Sequence, residues 1–202
     1  MRNLIFPLAI FFIIKSNAHA NRNAFTSPSC FSMGGAGSLF LSANAQIKNP
    51  AVLNKSRRIT TSIVRYPASI SSQSLDLNFP FNNFVFSSSF KHLSYGVFKG
   101  YNENGEDIGS YRSNETWVDG YLSKEMNSYP ILLGSSISLK SANFSSLNIK
   151  TLFTSIGAIG YFKNKNNAVG LSINQIGLKL TDQKISYISP NFILGGSKKL
   201  NH

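Results

Sequence analysis

The chain has 202 residues, 42% of them hydrophobic and only 14% charged, with 16 Phe, 8 Tyr and a formal net charge of +12. So much apolar content with so few charges excludes a disordered chain, and a single cysteine excludes an internal disulfide framework. No Lys/Arg block exceeds two neighbours (Arg57-Arg58 and Lys198-Lys199), so the basic surplus is scattered rather than gathered into a nucleic-acid-binding stripe.

Met1-Arg2 gives a positive start, and Leu4 to Ile14 is an unbroken apolar run of eleven ended by "NAHA" at 17–20. A membrane-spanning helix needs about 20 apolar residues. The run is too short for that, and Ala18 and Ala20 supply the small-x-small pattern of a cleavage site. Residues 1–20 are therefore read as a secretory signal peptide. Removing Arg2 and Lys15 leaves 18 basic against 8 acidic residues, so the mature chain is near +10. Export argues against a nucleic-acid partner, and a scattered surplus suits a solvated or lipid-headgroup-facing surface. Cys30 lies ten residues past the cleavage point, too far to be a lipoprotein's acylated residue.

The stretch 21–56 is rich in Gly and Ala and too poor in bulky residues to form a core by itself. Beyond it, period-two alternation runs almost to the end. In "ILLGSSISLK" Ile131, Leu133, Ile137 and Leu139 share one parity, and Gly134, Ser136, Ser138 and Lys140 the other. "AVGLSIN" sets Val169, Leu171 and Ile173 against Gly170, Ser172 and Asn174, and "NFVFSSSF" puts Phe84, Phe86 and Phe90 on one face. Successive side chains of a strand point to opposite faces, so this pattern predicts strands. Candidates fall near 57–66, 70–79, 83–91, 93–101, 115–124, 130–141, 149–162, 167–180 and 191–199. "FPFNN", "NENGEDIGS", "KNKNN" and "TDQK" supply the turns between them. The apolar parity switches after Asn174, to Ile176, Leu178 and Leu180, which predicts a β-bulge. The fold class is all-β and antiparallel, built from successive hairpins.

Alternation alone suits both a soluble sandwich and a membrane barrel. Strands of ~10 residues favour the barrel, and Tyr66, Tyr95, Tyr101, Trp117, Tyr121 and Tyr161 are candidates for its interfacial girdles. Catalytic constellations are thin. His92 falls in a predicted turn and His202 at the terminus, no His/Cys pair has metal-ligand spacing, and no G-x-S-x-G elbow occurs. "NENGED" lacks the ligand spacing of a calcium loop, and "GGAG" at 34–37 has no Lys-Ser/Thr after it. A non-enzymatic protein without cofactor or metal is expected.

Met33-Gly34-Gly35-Ala36, followed by Asn49-Pro50-Ala51, resembles the N-terminal signature of the PorV/PorQ family of outer-membrane proteins, which is related to the FadL-type barrels. "NPAVLN" at 49–54, "YGVFKGYNENGEDIGSY" at 95–111, "INQIGLKL" at 173–180 and "SPNFILGGSKKLNH" at 189–202 are similar to that family in the same order, closest to its PorQ branch. Ser155 stands where the family's Asp is expected.

The resemblance implies an antiparallel transmembrane β-barrel of 57–202 in the outer membrane, with 21–56 as an N-terminal plug whose turns are Met33, Gly34, Gly35, Ala36, Asn49 and Pro50. Relatives continue past the position of His202, which implies an incomplete member; a complete chain would make an eight-stranded barrel. The resemblance also implies a non-enzymatic scaffold of the type IX secretion system that helps attach secreted cargo to the cell surface. Its partners would be outer-membrane lipid, including lipopolysaccharide, and other proteins of the attachment complex. Glu103, Asn104, Gly105, Glu106, Asp107 and Gly109 form the candidate partner loop. Two alternatives stand beside this reading: a FadL-type transporter of hydrophobic molecules, and a soluble or surface-attached structural β protein.

Overall fold

A computed structural model describes residues 48–52, 55–145, 147–162, 167–181 and 184–198. The predicted signal peptide and Met33 to Ala36 lie outside these residues. Among the described residues there is one antiparallel sheet of nine strands. They are β1 (Arg58–Arg65), β2 (Ser71–Phe81), β3 (Phe84–Tyr101), β4 (Asp107–Glu125), β5 (Ile131–Phe144), β6 (Leu147–Phe162), β7 (Asn167–Thr181), β8 (Lys184–Ile188) and β9 (Asn191–Lys198). Neighbours in sequence pair in order from β1 to β8, and β9 also pairs with β7.

β8 lies along Gly177 to Thr181 and β9 along Asn167 to Asn174, so the two form one interrupted lane against β7. The interruption is Ser189-Pro190, where proline has no N–H to give to a ladder. It sits opposite the β7 bulge, where the register shifts between Thr154 and Ile156 of β6 and Gln175 adopts φ 65°. The parity switch after Asn174 is this bulge. Nine strands thus occupy eight lanes, and the sheet is open, with no register joining β1 to β8 or β9.

Two features of the sequence reading need correcting. The candidates 83–91 and 93–101 are a single strand, β3, of 18 residues. His92 is therefore in mid-strand rather than in a turn, opposite both Gln73 and Thr116, with its Nδ1 2.9 Å from the Thr116 hydroxyl. β8 was not predicted, because its five residues carry too short an alternation to stand out from the flanking turns. The β2–β3 turn needs only Asn82 and Asn83, and Asn82 takes φ 53°, a conformation asparagine tolerates better than most residues.

The two faces of the sheet have opposite character, and the register assigns each residue to one of them. The covered, inner face carries Ser72, Ser74 and Asn78 of β2, Ser87, Ser89 and Lys91 of β3, and Ser113, Glu115, Asp119 and Ser123 of β4. Ser136 and Ser138 of β5, Ser155 of β6, and Ser172 and Asn174 of β7 continue it, all buried. The outer face exposes Leu75 and Phe79, Phe86 and Phe90, Val118 and Leu122, Leu133, Ile137 and Leu139, Leu152 and Ile156, then Val169 and Leu171. A soluble sheet buries its apolar side and wets its polar one. Here the arrangement is reversed.

Among the described residues, buried apolar side chains gather in two clusters on the inner face, with Tyr121, Ala142 and Phe153 buried beside them. One gathers Val85, Leu132, Ile159 and Ala168 around Ala51 and Val52. Val85 on β3 and Ala168 on β7 are four lanes apart, ~19 Å in a flat sheet, so the sheet curves round the segment that joins them. The other cluster is Leu93 with Trp117, covered by Ile70 and Tyr95. Trp117 and Tyr121 are buried inside, which removes both from the predicted aromatic girdle.

Candidate functional site

The segment 48–52 is locked into the inner face near the end of the sheet that carries the short β2–β3 turn. Its shape is set locally. Asn49 Oδ1 accepts a hydrogen bond from the Ala51 N–H at 3.0 Å, and the Asn49 carbonyl accepts one from the Val52 N–H at 3.1 Å. Pro50 fixes the dihedral between them, as favoured at the second position of a turn. The turn is then bound from three strands. Ser123 of β4 donates to the Pro50 carbonyl at 2.6 Å, while Ser172 and Asn174 of β7 donate to the Lys48 carbonyl at 2.7 and 2.9 Å. Asn49 Nδ2 reaches the Ala158 carbonyl of β6 at 3.4 Å.

Gly134 of β5 and Gly157 of β6 make the room. A Cβ on Gly134 would fall on the Pro50 carbonyl, and one on Gly157 on Asn49 Oδ1. A glycine inside a strand often marks close approach of another backbone, so these two were a readable signal for the docking place of Asn49 and Pro50. The serines that hold the carbonyls had no such signal, because the inner parity is rich in serine throughout.

The middle of the inner face is ionic. Lys91 Nζ lies 2.8 Å from Asp119 Oδ2, with both side chains almost completely buried, and Lys91 also donates to Ser89. Asp76 of β2 stands opposite Ser89 in the same row. One row further, Lys140 Nζ lies 3.1 Å from Glu115 Oε2 and 5.3 Å from the centroid of the Trp117 ring. Buried charge is costly unless paired. These pairs set paired charge in the middle of the inner face.

The candidate loop residues sit at the tip of the β3–β4 hairpin. Glu103, Asn104, Gly105 and Glu106 cap a long arm, in which Asn102 Oδ1 accepts from the Asn104 and Glu106 N–H groups at 3.0 and 2.9 Å. Asp107 and Gly109 already belong to β4, and Gly105 and Gly109 take φ 81° and 98°. Among the described residues no group of His, Cys, Asp and Glu could hold a metal ion. The arm itself was not foreseen. β2 stops pairing at Ser94 and β5 at Ser113, so Val97 to Tyr101 and Asp107 to Arg112 pair only with each other. Phe98 and Tyr111 stack across it at 5.5 Å.

The outer face of β3 to β6 turns polar toward the arm. Its apolar rows end, on the arm side, at His92, Thr116, Ser141 and Lys150. The next row is an amide ladder: Asn148 donates to Asn143 at 2.7 Å, and Asn143 to Asn114 at 3.2 Å. On the turn side Lys124 lies over the Phe84 ring at 4.9 Å. Between the ladder and Lys124, an apolar depression of about 440 Å³ opens where Ser88 and Gly120 leave space beside Phe79, Phe86, Leu122 and Ile137.

No family model, curated protein or solved structure matches this chain.

Proposed function

We propose that this chain is a non-enzymatic outer-membrane β-barrel protein that scaffolds the attachment of secreted cargo at the cell surface. The observation that carries the membrane part is the reversal of polarity across the sheet: serine, asparagine and paired ions inside, and a belt of Phe, Leu, Ile and Val outside. On β5 the belt runs from Ile131 to Leu139, nine residues, close to the ~9–11 that a tilted strand needs to cross the hydrocarbon. The amide ladder fits the water boundary of such a belt on the arm side. In lipid an open edge leaves backbone groups unpaired, so β1 and the β8/β9 lane would be joined, to each other or through further strands.

The scaffold part rests on the resemblance to PorQ-type proteins of the type IX secretion system, and the interior supports it over transport. A FadL-type carrier needs an apolar route, whereas the Lys91–Asp119 and Lys140–Glu115 pairs occupy the middle of the inner face. The arm projects beyond the neighbouring strands and exposes Val97, Tyr101 and Ile108, which suits contact with partner proteins. Barrels carry their longer loops on the cell-surface side and short turns on the other, which would put the arm outside and the Asn49-Pro50 turn at the periplasmic end.

Alkaline carbonate extraction tests the membrane part: a barrel stays with the pellet, and release into the supernatant would rule it out. Deleting Glu103 to Gly109 tests the scaffold part, with loss of surface-attached cargo at unchanged protein level as the expected result. Normal attachment would remove the arm from the function.

A further inference from the structure

Apart from Asp107 near the arm's tip, no described strand carries a carboxylate on its outer face. Asp76, Glu115, Asp119 and Glu125 all have inner parity, and Lys91, Lys140 and Lys55 are paired with three of them inside or at its rim. Part of the basic surplus of the described strands is therefore left on the outer face, while Arg58, Lys179 and Lys184 share the inner parity. At the arm end of the belt it appears as Arg65, Arg112 and Lys150, all exposed. Among the described residues none of the three is paired with a carboxylate.

Their heights on the sheet are set by the register. Lys150 stands opposite Ser141, in the row that ends the apolar belt. Arg65 stands opposite Ser71, in the row of the amide ladder. Arg112 stands one row further out, opposite Val97 at the base of the arm. The three rows span four residues of strand, ~14 Å along the strand at 3.4 Å per residue and less along the membrane normal once a barrel strand tilts by ~45°. Long basic side chains reach several ångströms toward a boundary.

We propose that Arg65, Arg112 and Lys150 form a cationic rim that binds the phosphates of anionic lipid headgroups in the leaflet around the arm. This rests on the membrane reading above. The argument is charge complementarity at a defined height: a one-sign rim, immediately beyond an apolar belt, on a face from which acidic residues are absent. Guanidinium groups match phosphate oxygens in pairs, and the ladder amides of Asn114, Asn143 and Asn148 lie in the same band to hydrogen-bond the headgroup.

The test uses the full chain refolded into vesicles of phosphatidylcholine alone or mixed with phosphatidylglycerol, with binding read by flotation. The expected result is tighter binding to the mixed vesicles, weakened about fivefold for each cation removed in the series Arg65→Gln, Arg112→Gln and Lys150→Gln, and screened by salt. Lys150→Arg should keep the preference. Inorganic phosphate at matched ionic strength should leave it intact, and its loss on phosphate addition would overturn the lipid assignment in favour of a free anion. A triple variant that inserts and keeps the full preference overturns the rim. A chain that floats with neither vesicle overturns the membrane reading itself.

Discussion

Gly134 on β5 and Gly157 on β6 stand directly opposite one another, and the Asn49-Pro50 turn rests on both. Two glycines side by side cost strand stability, since neither packs a side chain and both lose more chain entropy than other residues. What they provide is a floor low enough for a second backbone. Gly134→Ala and Gly157→Ala should each destabilise the protein by about 1–3 kcal/mol, as overpacked sites do, read from the urea midpoint at constant m-value. The clash at Gly157 is with a side-chain oxygen, whereas that at Gly134 is with backbone. Asn49→Ala should therefore relieve part of the Gly157→Ala cost in a double-mutant cycle and none of the Gly134→Ala cost.

Lys91 and Asp119 form the deepest ion pair of the inner face. Removing one partner leaves a buried charge, a loss of about 3–5 kcal/mol, while exchanging both for apolar residues of similar volume is often close to neutral. Lys91→Met should be strongly destabilising, and Lys91→Met with Asp119→Leu should recover most of the loss. Equal damage from the single and the double variant would mean that Ser89 and Asp76 depend on the pair for their own arrangement.

Gln175 shows how much of this fold could be read from the chain. The apolar positions change parity there, and only an extra residue in one strand produces that change while keeping both halves on the same face. The structure places it in left-handed backbone, its N–H donated to Ser155 at 3.2 Å. Deleting Gln175 should leave Ile176, Leu178 and Leu180 on the outer face with Val169, Leu171 and Ile173, because it removes the one extra residue and restores unbroken alternation. The expected outcome is a protein that still folds, with a urea midpoint lowered by the loss of the Ser155 contact and by the closing of the register opposite it. Gln175→Gly should fold and be no less stable by more than about 1 kcal/mol, since glycine accepts φ > 0 at no steric cost.

Other parts were hidden for identifiable reasons. His92 looked like a turn because a polar residue interrupts the phenylalanine series, yet it marks the row where the outer face changes from apolar to polar. Trp117 and Tyr121 looked like girdle residues from their place near strand ends, but the long arm of β3 and β4 moves those ends outward and leaves both residues in the middle of the sheet. Parity would have placed them correctly, since both share it with Asp119. The docking of Asn49 and Pro50 was visible only as glycines on the inner parity, and its hydrogen bonds join residues more than 70 positions apart, which no local pattern records.

Ile137 and Val97 are equally exposed, each at 59%, and both lie on the outer face. Ile137 is in the centre of the apolar belt and Val97 is on the arm, past the amide ladder. If water bathes the whole face, lysine at either position is a surface substitution and changes stability by no more than about 0.5 kcal/mol. If lipid covers the belt, Ile137→Lys must bring an ammonium to mid-membrane depth, at about 2–4 kcal/mol, while Val97→Lys stays in water and costs next to nothing. The measurement is urea unfolding of each variant refolded into phosphatidylcholine vesicles. A large loss at Ile137 together with none at Val97 is the expected outcome. Two small and equal effects would turn the belt into an ordinary protein surface, and the reversed polarity of the sheet would then require a protein partner large enough to cover it.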